Sequence, residues 1–427
     1  PLPRDPTIGK ANRFVRQNVI DAIGPVFGQD TMIQFSEVKF ERIVERLKLL
    51  FYPQLPQEGK STVRDLFREL DQNSLGFNNI LYLATVLAEL EDLDSSQTFL
   101  KILLIEEPEA HLHPQLQVKL LRYLQDKAKA TGIQVVVTTH SPTIAASVEL
   151  DAIKVLTRFG VADNPLFSSV ADCGLNPGSK FFIERWLDVT KSTLLFAKGV
   201  ILVEGIAEAL VVPELARIVI RQLDGAEHGD DGPKLLKDYG VSVINMGGIH
   251  FKHFMQLFKG YTFDDEGNRI ECGKIPIRCA GITDCDPAKK IKPTASNPSE
   301  CNNPQYSLVQ ELNTHPNCRL FSNLKTFEYD LGIQGNNLRL MCKVYLRMIS
   351  TDGPNKQEAT KLLQTDWTGS NEQDRSDAAY WLLQHISASS KGEFAQLLAQ
   401  ELSQSDVVSF SVPSYIEQAT LWAIGLS

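Results

Sequence analysis

Apolar runs of strand length alternate with helical patterns in two stretches of the chain. The first stretch, 74–150, predicts a helix, a strand, a helix and a strand at 77–90, 102–106, 114–129 and 133–139. The second begins at Gly199 and predicts the strand VILVEG, a helix at 206–222, the strand VSVINM, a helix at 250–259 and the strand CAGITD. Short connections between such elements are typical of a mostly parallel, buried sheet, so the sequence predicts an α/β fold.

The segments outside this alternation suggest how the chain is divided. A length of 427 residues favours two or more domains, and we place a boundary between 155 and 195, where periodicity breaks. Residues 11–50 show helical spacing of apolar side chains: Phe14, Val15, Val19, Ile20, Ile43, Val44, Leu47 and Leu50. We expect loops at 222–238 and 260–276, an exposed loop at 286–317, and helices from 335 to the end.

Cysteine use and charge restrict the class of protein. Seven scattered cysteines without a CxxC pair predict reduced thiols and a cytoplasmic protein rather than a disulfide framework or zinc site. A net charge of −9 argues against coating nucleic acid with the whole surface, but it permits a local basic groove or a cluster of metal-binding carboxylates. No apolar run approaches the roughly 20 residues of a membrane span, so no membrane association is expected.

The first stretch carries residues in the order of an ATP site. Ser74 and Gly76 precede a helix whose free N–H groups could hold a phosphate. In LLIEEP, Glu106 would lie near magnesium and Glu107 beside an attacking water, and His140 ends the next strand, where it could sense a γ-phosphate. Each pattern alone is usually a helix cap or a solvated acid. Together they resemble the ABC heads of the RecF/SMC/OLD group, although Glu106 stands where that group usually has Asp.

The phosphate loop of such a site is missing from the sequence. QEGKST at 57–62 imitates the tail of GxxxxGK[ST], but Gln54 stands where the first glycine is needed and no apolar strand precedes it. We therefore expect that the chain starts after the phosphate loop, that ATP binds only in a full-length protein, and that this chain has no ATPase activity of its own.

Carboxylates follow two strands of the second stretch. Glu204 ends VILVE and Glu208 lies one helical turn further on, so it can turn back toward the same place. Asp284 and Asp286 end AGITDCD, where an extended backbone would point both to one side. Because ligands bind at the C-terminal edge of parallel strands, four acids should meet there, and they would repel one another unless cations neutralise them. Oxygen donors of this kind suit Mg²⁺, Mn²⁺ or Ca²⁺.

A strand–Glu–Gly–x–x–Glu–helix followed by strand–Asp–x–Asp resembles the Toprim fold of topoisomerases, primases and OLD-family nucleases. The stretch 191–216, coming after an ABC-type head, is similar specifically to the OLD (overcoming lysogenization defect) family, of the class 2 type. The likeness covers the chain from about residue 70 onward. It implies an α/β chain with a Toprim parallel-sheet nuclease domain and helical additions, following the C-terminal part of an ABC-type ATPase head.

The resemblance also implies further site residues. In NLKTFEYDL, Thr326 and Glu328 would lie on an extended stretch and serve a second metal ion. SSKGEF offers Lys391 at a helix start, matching an active-site lysine that can stabilise charge on the phosphate. INMGGIHFKHF resembles the second Toprim strand and its turn, in which Gly247 and Gly248 permit close backbone approach.

Together these features predict the following domains: a helical segment at 1–70 with a possible dimerisation role, the C-terminal part of an ABC ATPase domain at 71–160, a Toprim catalytic domain at 195–335, and a helical C-terminal part of the nuclease region at 336–427. The predicted function is a metal-dependent DNA endonuclease with two Mg²⁺ or Mn²⁺ ions, and the resemblance to Toprim proteins implies that Glu204 is its general acid/base. We expect a homodimer, and the resemblance implies roles in phage defence or DNA repair.

Three other functions were considered. A topoisomerase would need a nucleophilic tyrosine, and Tyr261, Tyr329 and Tyr345 do not lie in a recognisable DNA-breakage domain. A primase would need a zinc-binding or initiation module, which the cysteine spacing does not supply. The remaining alternative is a non-catalytic, ATP-gated DNA-binding protein of the SMC/RecF type, against which the clustered acids argue.

Overall fold

The computed structural model describes residues 6–23, 30–35, 47–52, 68–92, 100–158, 164–224, 234–350, 352–386, 390–404 and 410–426. It divides into two compact units, Pro1–Val148 and Glu149–Ser427, and each is described by itself. None of the helices in these ranges has the length and apolar character that a bilayer crossing requires.

The first unit combines a small antiparallel sheet with a parallel strand pair and helices. Its elements are α1 (Pro6–Ile23), β1 (Asp30–Phe35), β2 (Leu47–Tyr52), β3 (Arg68–Glu69), α2 (Leu75–Asp92), β4 (Ile102–Glu106), α3 (Pro114–Thr131), β5 (Gln134–Thr138) and α4 (Pro142–Ala145). Strands β1, β2 and β3 pair antiparallel in that order, and β4 pairs parallel with β5. Helices α1, α2 and α3 share one apolar core, and the predicted helix–strand order from 77 to 139 is confirmed.

The prediction of helical structure over 11–50 is wrong at 30–35 and at 47–50. These residues form β1 and the start of β2, and Leu47 and Leu50 belong to β2. A short apolar run such as LKLLFY does not distinguish helix from strand by periodicity, and pairing with β1 decides the outcome. Ile43, Val44 and the QEGKST stretch lie outside the described residues.

The second unit contains the parallel sheet. Its first elements are β6 (Lys154–Thr157), β7 (Leu166–Ser169), α5 (Pro177–Trp186), β8 (Gly199–Val203), α6 (Ile206–Asp224), β9 (Val241–Asn245), α7 (Phe251–Lys259), β10 (Tyr261–Phe263), β11 (Arg269–Glu271) and β12 (Arg278–Thr283). Then follow α8 (Tyr306–Leu312), β13 (Cys318–Ser322), α9 (Phe327–Gly332), α10 (Asn337–Met348), α11 (Pro354–Gln364), α12 (Glu372–His385), α13 (Lys391–Gln404) and α14 (Ser414–Ile424). The α/β class and the helical additions after 335 are confirmed.

Four parallel strands in the order β13-β12-β8-β9 form the centre of this unit. β8 is buried along its whole length, as expected for a strand covered on both faces. The ends of the strands are in register: Val203 pairs with Asn245 and with Ile282, and Thr283 pairs with Ser322. The residues that follow β8, β12 and β13 therefore emerge at one edge of the sheet.

Glycine allows a helix to approach this sheet closely. A Cβ on Gly199 would lie 2.4 Å from the carbonyl oxygen of Ala423 in α14, so no other residue fits there without a shift of backbone. Helix α14 packs against β8, β12 and β13, and α13 packs on α6. Helix α14 therefore covers part of the sheet directly, and α13 lies over α6.

Three predicted loops and the cysteine chemistry need correction. The 260–276 segment contains the antiparallel hairpin of β10 and β11, and α6 extends to Asp224 in the segment expected to be a loop from 222. The 286–317 segment includes α8 and several buried polar residues, so it is not simply exposed: Thr294, Asn303, Gln305 and His315. Cys285 and Cys301 form a disulfide, which contradicts the prediction of reduced thiols. Scattered spacing could not reveal this pair because the intervening chain folds back on itself.

Candidate active site

Glu204 is held at the end of β8 by the neighbouring strand. The Thr283 hydroxyl donates to Glu204 Oε1 over 2.5 Å, and the Asp284 backbone N–H donates to the same oxygen over 3.1 Å. Burial raises the pKa of Glu204, while these two hydrogen bonds act in the opposite direction. The carboxyl group is therefore both oriented and inclined to keep a proton.

Asp284 is fixed by two side-chain amides that the sequence reasoning missed. Asn323 Nδ2 donates to Asp284 Oδ1 over 2.5 Å, and Asn323 Oδ1 accepts from the Cys285 N–H over 2.9 Å. Asn303 Nδ2 donates to the Asp284 carbonyl oxygen over 2.6 Å. Burial, then the charges of Glu204 and Glu208, raises the pKa of Asp284 well above its usual range. No sequence motif marked either asparagine: Asn303 lies in an irregular segment, and Asn323 follows β13 as a single amide without an acidic neighbour.

Glu208 turns back toward the strand end, as its place in the first turn of α6 predicted. Its Oε2 accepts the Gly205 N–H over 3.1 Å. Burial raises the pKa of Glu208 to about 7, and the negative charges of Glu328 and Glu204 add to that effect. The three acids therefore influence one another through a poorly solvated space.

Asp286 differs from the prediction in its backbone. Its φ of 49° is left-handed, so the alternation expected of an extended Asp–x–Asp does not reach it, and its side chain is exposed. Its N–H donates to the Lys325 carbonyl over 3.0 Å. Burial raises the pKa of Asp286, and the nearby charges of Lys391 and Lys325 counteract this. The residue belongs to the same electrostatic group but approaches it from the solvent side.

Glu328 also lies on a different backbone from the one expected. The stretch is extended only as far as Thr326 (φ −139°, ψ 160°), and Glu328 lies in the first turn of α9, which follows it. The aspartate two positions later, Asp330, accepts the N–H groups of Leu324 and Lys325, each over 2.9 Å, and so closes the loop before the helix. Local hydrogen bonding by Asp at a helix start overrides the strand-like pattern of NLKTFEYDL.

Lys391 begins α13, as predicted, and reaches the acids. Its Nζ lies 3.1 Å from Glu328 Oε2, and Glu328 is almost fully buried. Burial lowers the pKa of Lys391, but the charges of Glu328, Asp284 and Glu208 more than offset it, so the pKa is raised. A lysine held charged among several carboxylates is suited to attract a phosphate.

The donor set at this edge suits a hard cation. All candidate ligands are oxygens, and Thr326 Oγ1 is buried with no hydrogen-bond partner among the described residues. Within those residues, no three Asp, Glu, His or Cys side chains surround one point at ligand distance. Mg²⁺ usually takes one or two carboxylates and keeps several waters, so a spread group of acids fits hydrated ions better than a closed cage.

Four of the five ATP-site residues of the first unit are exposed, and Gly76 is buried. Glu107, at a left-handed φ of 42°, lies 3.4 Å from His140 Nε2, so the structure brings this pair together. Glu106 ends β4, and Ser74 Oγ accepts the Phe77 N–H over 3.5 Å as a helix cap does. A Cβ on Gly76 would lie 2.5 Å from the His111 carbonyl oxygen, so this glycine lets α2 pack against the turn after β4.

Comparison with known proteins identifies two domains. Residues 17–145 match the family model of an AAA ATPase domain, and residues 195–286 match the model described as "Overcoming lysogenization defect protein-like, TOPRIM domain". Residues 195–286 are thus similar to the Toprim domain of OLD-like proteins. This Toprim domain contains Glu204, Glu208, Asp284 and Asp286, and it follows an ATPase domain, as the sequence predicted.

Similarity to individual proteins is partial. The OLD nuclease of Thermus scotoductus (strain ATCC 700910 / SA-01) is 32% identical over 116 residues, which are 26% of this chain and 22% of that protein. The chain thus matches about a fifth of that relative's length.

Solved structures of C-terminal regions of OLD proteins are also similar. The one from Burkholderia pseudomallei is 22% identical and covers 54% of this chain and 98% of its own, with a TM-score of 0.35. The one from Xanthomonas campestris pv. campestris is 21% identical, with 55% and 95% coverage and a TM-score of 0.33. Because both TM-scores are low, no structural or functional conclusion is drawn from these two similarities.

Proposed function

We propose that the chain carries the catalytic centre of a metal-dependent DNA endonuclease, a phosphodiester hydrolase located in its Toprim domain. The observation that carries the proposal is the meeting of Glu204, Glu208, Asp284 and Glu328 with Lys391 at one edge of the sheet. Clustered, partly buried acids destabilise a fold unless cations balance them, so such a group indicates a functional site.

The five acids Glu204, Glu208, Asp284, Asp286 and Glu328, with Thr326, would hold two Mg²⁺ or Mn²⁺ ions, and Ca²⁺ could replace them. When bound, such ions supply positive charge to a scissile phosphate and lower the pKa of a bound water. The catalytic type and the number of ions are part of the proposal.

The protein's own groups have separate tasks in this scheme. Glu204, whose pKa is raised, can exchange a proton with the attacking water or the leaving oxygen. Lys391 places a positive charge among the acids, where it would attract the phosphate and offset the charge that develops on it. Asn303 and Asn323 keep Asp284 in place through amide hydrogen bonds.

A tyrosine nucleophile has no support here. Tyr329 is buried, and burial raises the pKa of its hydroxyl to about 12. This hydroxyl is within hydrogen-bond distance of the Pro293 carbonyl oxygen and of the Ser376 hydroxyl, each at 2.7 Å. The Tyr261 hydroxyl donates a hydrogen bond to Glu311 Oε1 over 2.8 Å. Hydrolysis therefore fits the site better than the DNA transesterification of a topoisomerase.

The second candidate is an ATP-gated DNA-binding protein without cleavage chemistry. The contact between Glu107 and His140 favours it, since an acid and a histidine meet at a strand end of the AAA ATPase domain. We propose DNA as the partner in both cases, a homodimer as the assembly and the cytoplasm as the location, and no ATP hydrolysis by this chain alone.

Nicking of supercoiled plasmid distinguishes the two candidates. We expect cleavage with Mg²⁺ or Mn²⁺ and none with EDTA, and we expect Glu204→Gln and Lys391→Met each to abolish it. Metal binding is measured separately as the rise in melting temperature caused by Ca²⁺, which should persist in Lys391→Met and decrease in Asp284→Ala. DNA binding without any metal-dependent cleavage would favour the second candidate.

A further inference from the structure

A group of stacked rings borders the acidic site. We call Phe182, Trp186, His250 and His253 the aromatic shelf, and Phe181 is the exposed residue that precedes Phe182 on α5. Phe182 stacks on Trp186 with ring centroids 5.2 Å apart and on His253 at 4.4 Å, and it meets His250 at 4.7 Å. The Ser179 hydroxyl is 2.9 Å from His253 Nδ1, which fixes that ring from behind. The shelf therefore joins α5 to the start of α7 as a firm surface.

Two aromatic side chains of α5 are exposed to solvent: Trp186 of the shelf and the neighbouring Phe181. Phe181 is 62% exposed and Trp186 is 37% exposed, whereas Phe254 behind them is fully buried. Packing α5 on α7 requires only the inner rings, so it does not explain two large aromatic side chains on the surface. Exposed aromatic groups of this kind mark binding sites more often than isolated apolar residues do.

A glycine turn connects the aromatic shelf to the backbone of Glu204, the candidate catalytic glutamate. The Gly248 N–H donates to the Glu204 carbonyl oxygen over 2.8 Å. Gly247 and Gly248 have φ values of 67° and 142°, and a Cβ on Gly247 would meet the Trp186 ring at 3.5 Å. The turn that leads to His250 thus runs from the Glu204 backbone to the Trp186 ring, and a ligand on the shelf would adjoin the acids.

Cationic side chains accompany the exposed rings. Lys191 Nζ lies 5.8 Å from the Trp186 ring centroid, and Arg185 Cζ lies 5.6 Å from that of Phe181. Lys252 is exposed at the start of α7. Acids are present too: Asp188 binds Lys191 over 2.6 Å, and Glu184 is exposed on α5. Flat rings alternating with cations are the combination that holds single-stranded nucleic acid.

We propose that the aromatic shelf stacks an unpaired base of the DNA strand whose phosphate enters the acidic site. This inference rests on the proposed nuclease and narrows its substrate class to DNA with single-stranded or frayed regions. A base in a duplex is already stacked on its neighbours and cannot offer its face to Trp186. An unpaired base can do so, and loss of one such stack weakens binding by about tenfold.

The test measures binding in Ca²⁺ with the full chain, so that it does not depend on cleavage. Trp381, which stacks on His385 in the helical region, is first replaced in Trp381→Phe to reduce unrelated emission. Because the sequence contains four tryptophans, the emission of Trp186 is taken as the difference between this protein and its Trp186→Phe variant. In that background we expect an oligonucleotide single strand to quench Trp186 fluorescence, and the blunt duplex of the same sequence to quench it far less.

Variants then separate stacking from charge. By fluorescence anisotropy of labelled DNA, Trp186→Ala should bind the single strand about tenfold more weakly, and Trp186→Phe should keep most of the affinity. Unchanged affinity in Trp186→Ala, or equal quenching by duplex, would overturn the proposal. It would also be overturned if Trp186 emission changed with protein concentration in the absence of DNA, because a second copy would then cover the shelf. Intact single-strand binding without cleavage would count against the nuclease instead.

Discussion

Glu106 and Glu107 follow β4 in the first unit much as Glu204 follows β8 in the second, yet the two strand ends differ in their surroundings. Glu107 and His140 form a pair whose side chains are 53% and 86% exposed. In the second unit, Glu328 is 5% exposed and contacts Lys391, and amides and hydroxyls hold Glu204 and Asp284. Acids at strand ends become a reactive group only where neighbouring elements enclose them.

The number of paired strands explains part of this difference. β8 has a parallel neighbour on each side and is buried throughout, whereas β4 pairs only with β5 within the described residues and carries exposed Ile102 and Leu104. Helices α6, α9 and α13 bring Glu208, Glu328 and Lys391 to the edge of the four-stranded sheet. The comparison predicts large energetic effects in the second unit and small ones at the Glu107–His140 pair.

The largest stability effect should come from the disulfide behind the second site. Cys285 lies between Asp284 and Asp286 and is bonded to Cys301, 16 residues away. Cys301→Ser should lower the free energy of unfolding by about 3 kcal/mol, because the cross-link restricts the unfolded chain. Urea unfolding without reductant measures this, with Cys272→Ser, a free and partly exposed thiol, as the control. Equal stability of Cys301→Ser and wild type would show that the pair is not bonded in solution.

Breaking the enclosed ion pair should have the next largest effect. Lys391→Met leaves Glu328 buried without its cation and should cost about 2 kcal/mol, less than a fully buried pair because Lys391 is partly exposed. Lys356→Met, which breaks the exposed contact with Asp352, is the matched control and should cost clearly less, because water and salt screen that pair. Similar losses in both variants, measured by urea unfolding, would remove the distinction between enclosed and exposed charge.

A smaller effect should appear in the pH dependence of stability. The pKa of Glu208 is raised to about 7 in the folded chain, so the folded state binds a proton more readily than the unfolded state does. The contribution of protonated Glu208 to the free energy of unfolding is therefore complete below the ordinary pKa of 4.5 and is lost as the pH rises through about 7. In EDTA, Glu208→Gln should therefore flatten the decline of stability between about pH 5 and 8, by about 1 kcal/mol after solvent screening. Parallel curves for the variant and wild type would contradict the shift.

The smallest effect is expected at the exposed pair of the first unit. His140→Ala should change the free energy of unfolding by less than about 0.5 kcal/mol, because both partners are largely solvated. A loss comparable to that of Lys391→Met would mean that the first site is enclosed in solution, and the comparison would fail.

Sequence patterns predicted the regular elements of this fold better than its loops. Periodicity located β4, β8, β9 and β12 because each is an apolar run bounded by Gly, Pro or acids. It failed for β1 and β2, where antiparallel pairing decided between helix and strand, and for the β10–β11 hairpin, whose strands are only three residues long. Long-range pairing of this kind leaves little local signal.

The site was predictable where chemistry follows directly from a strand end. Glu204, Glu208 and Asp284 lie where parallel strands and a first helical turn place them. The alternating pattern predicts an extended backbone for Thr326, which it has, and for Glu328, which instead lies in a helix, and Asp286 has a left-handed backbone. Asn303 and Asn323 were missed because their role depends on loop geometry, which no short motif encodes.

The most direct test of the account compares one acid from each unit in a single assay. Initial rates of nicking of supercoiled plasmid are measured in Mn²⁺ without ATP for wild type, Asp284→Asn and Glu107→Gln, with circular dichroism to confirm folding. If the enclosed site performs the chemistry, Asp284→Asn loses about 100-fold or more of the rate and Glu107→Gln stays within about twofold of wild type. Cleavage that survives in Asp284→Asn, or that disappears in Glu107→Gln, would contradict the account.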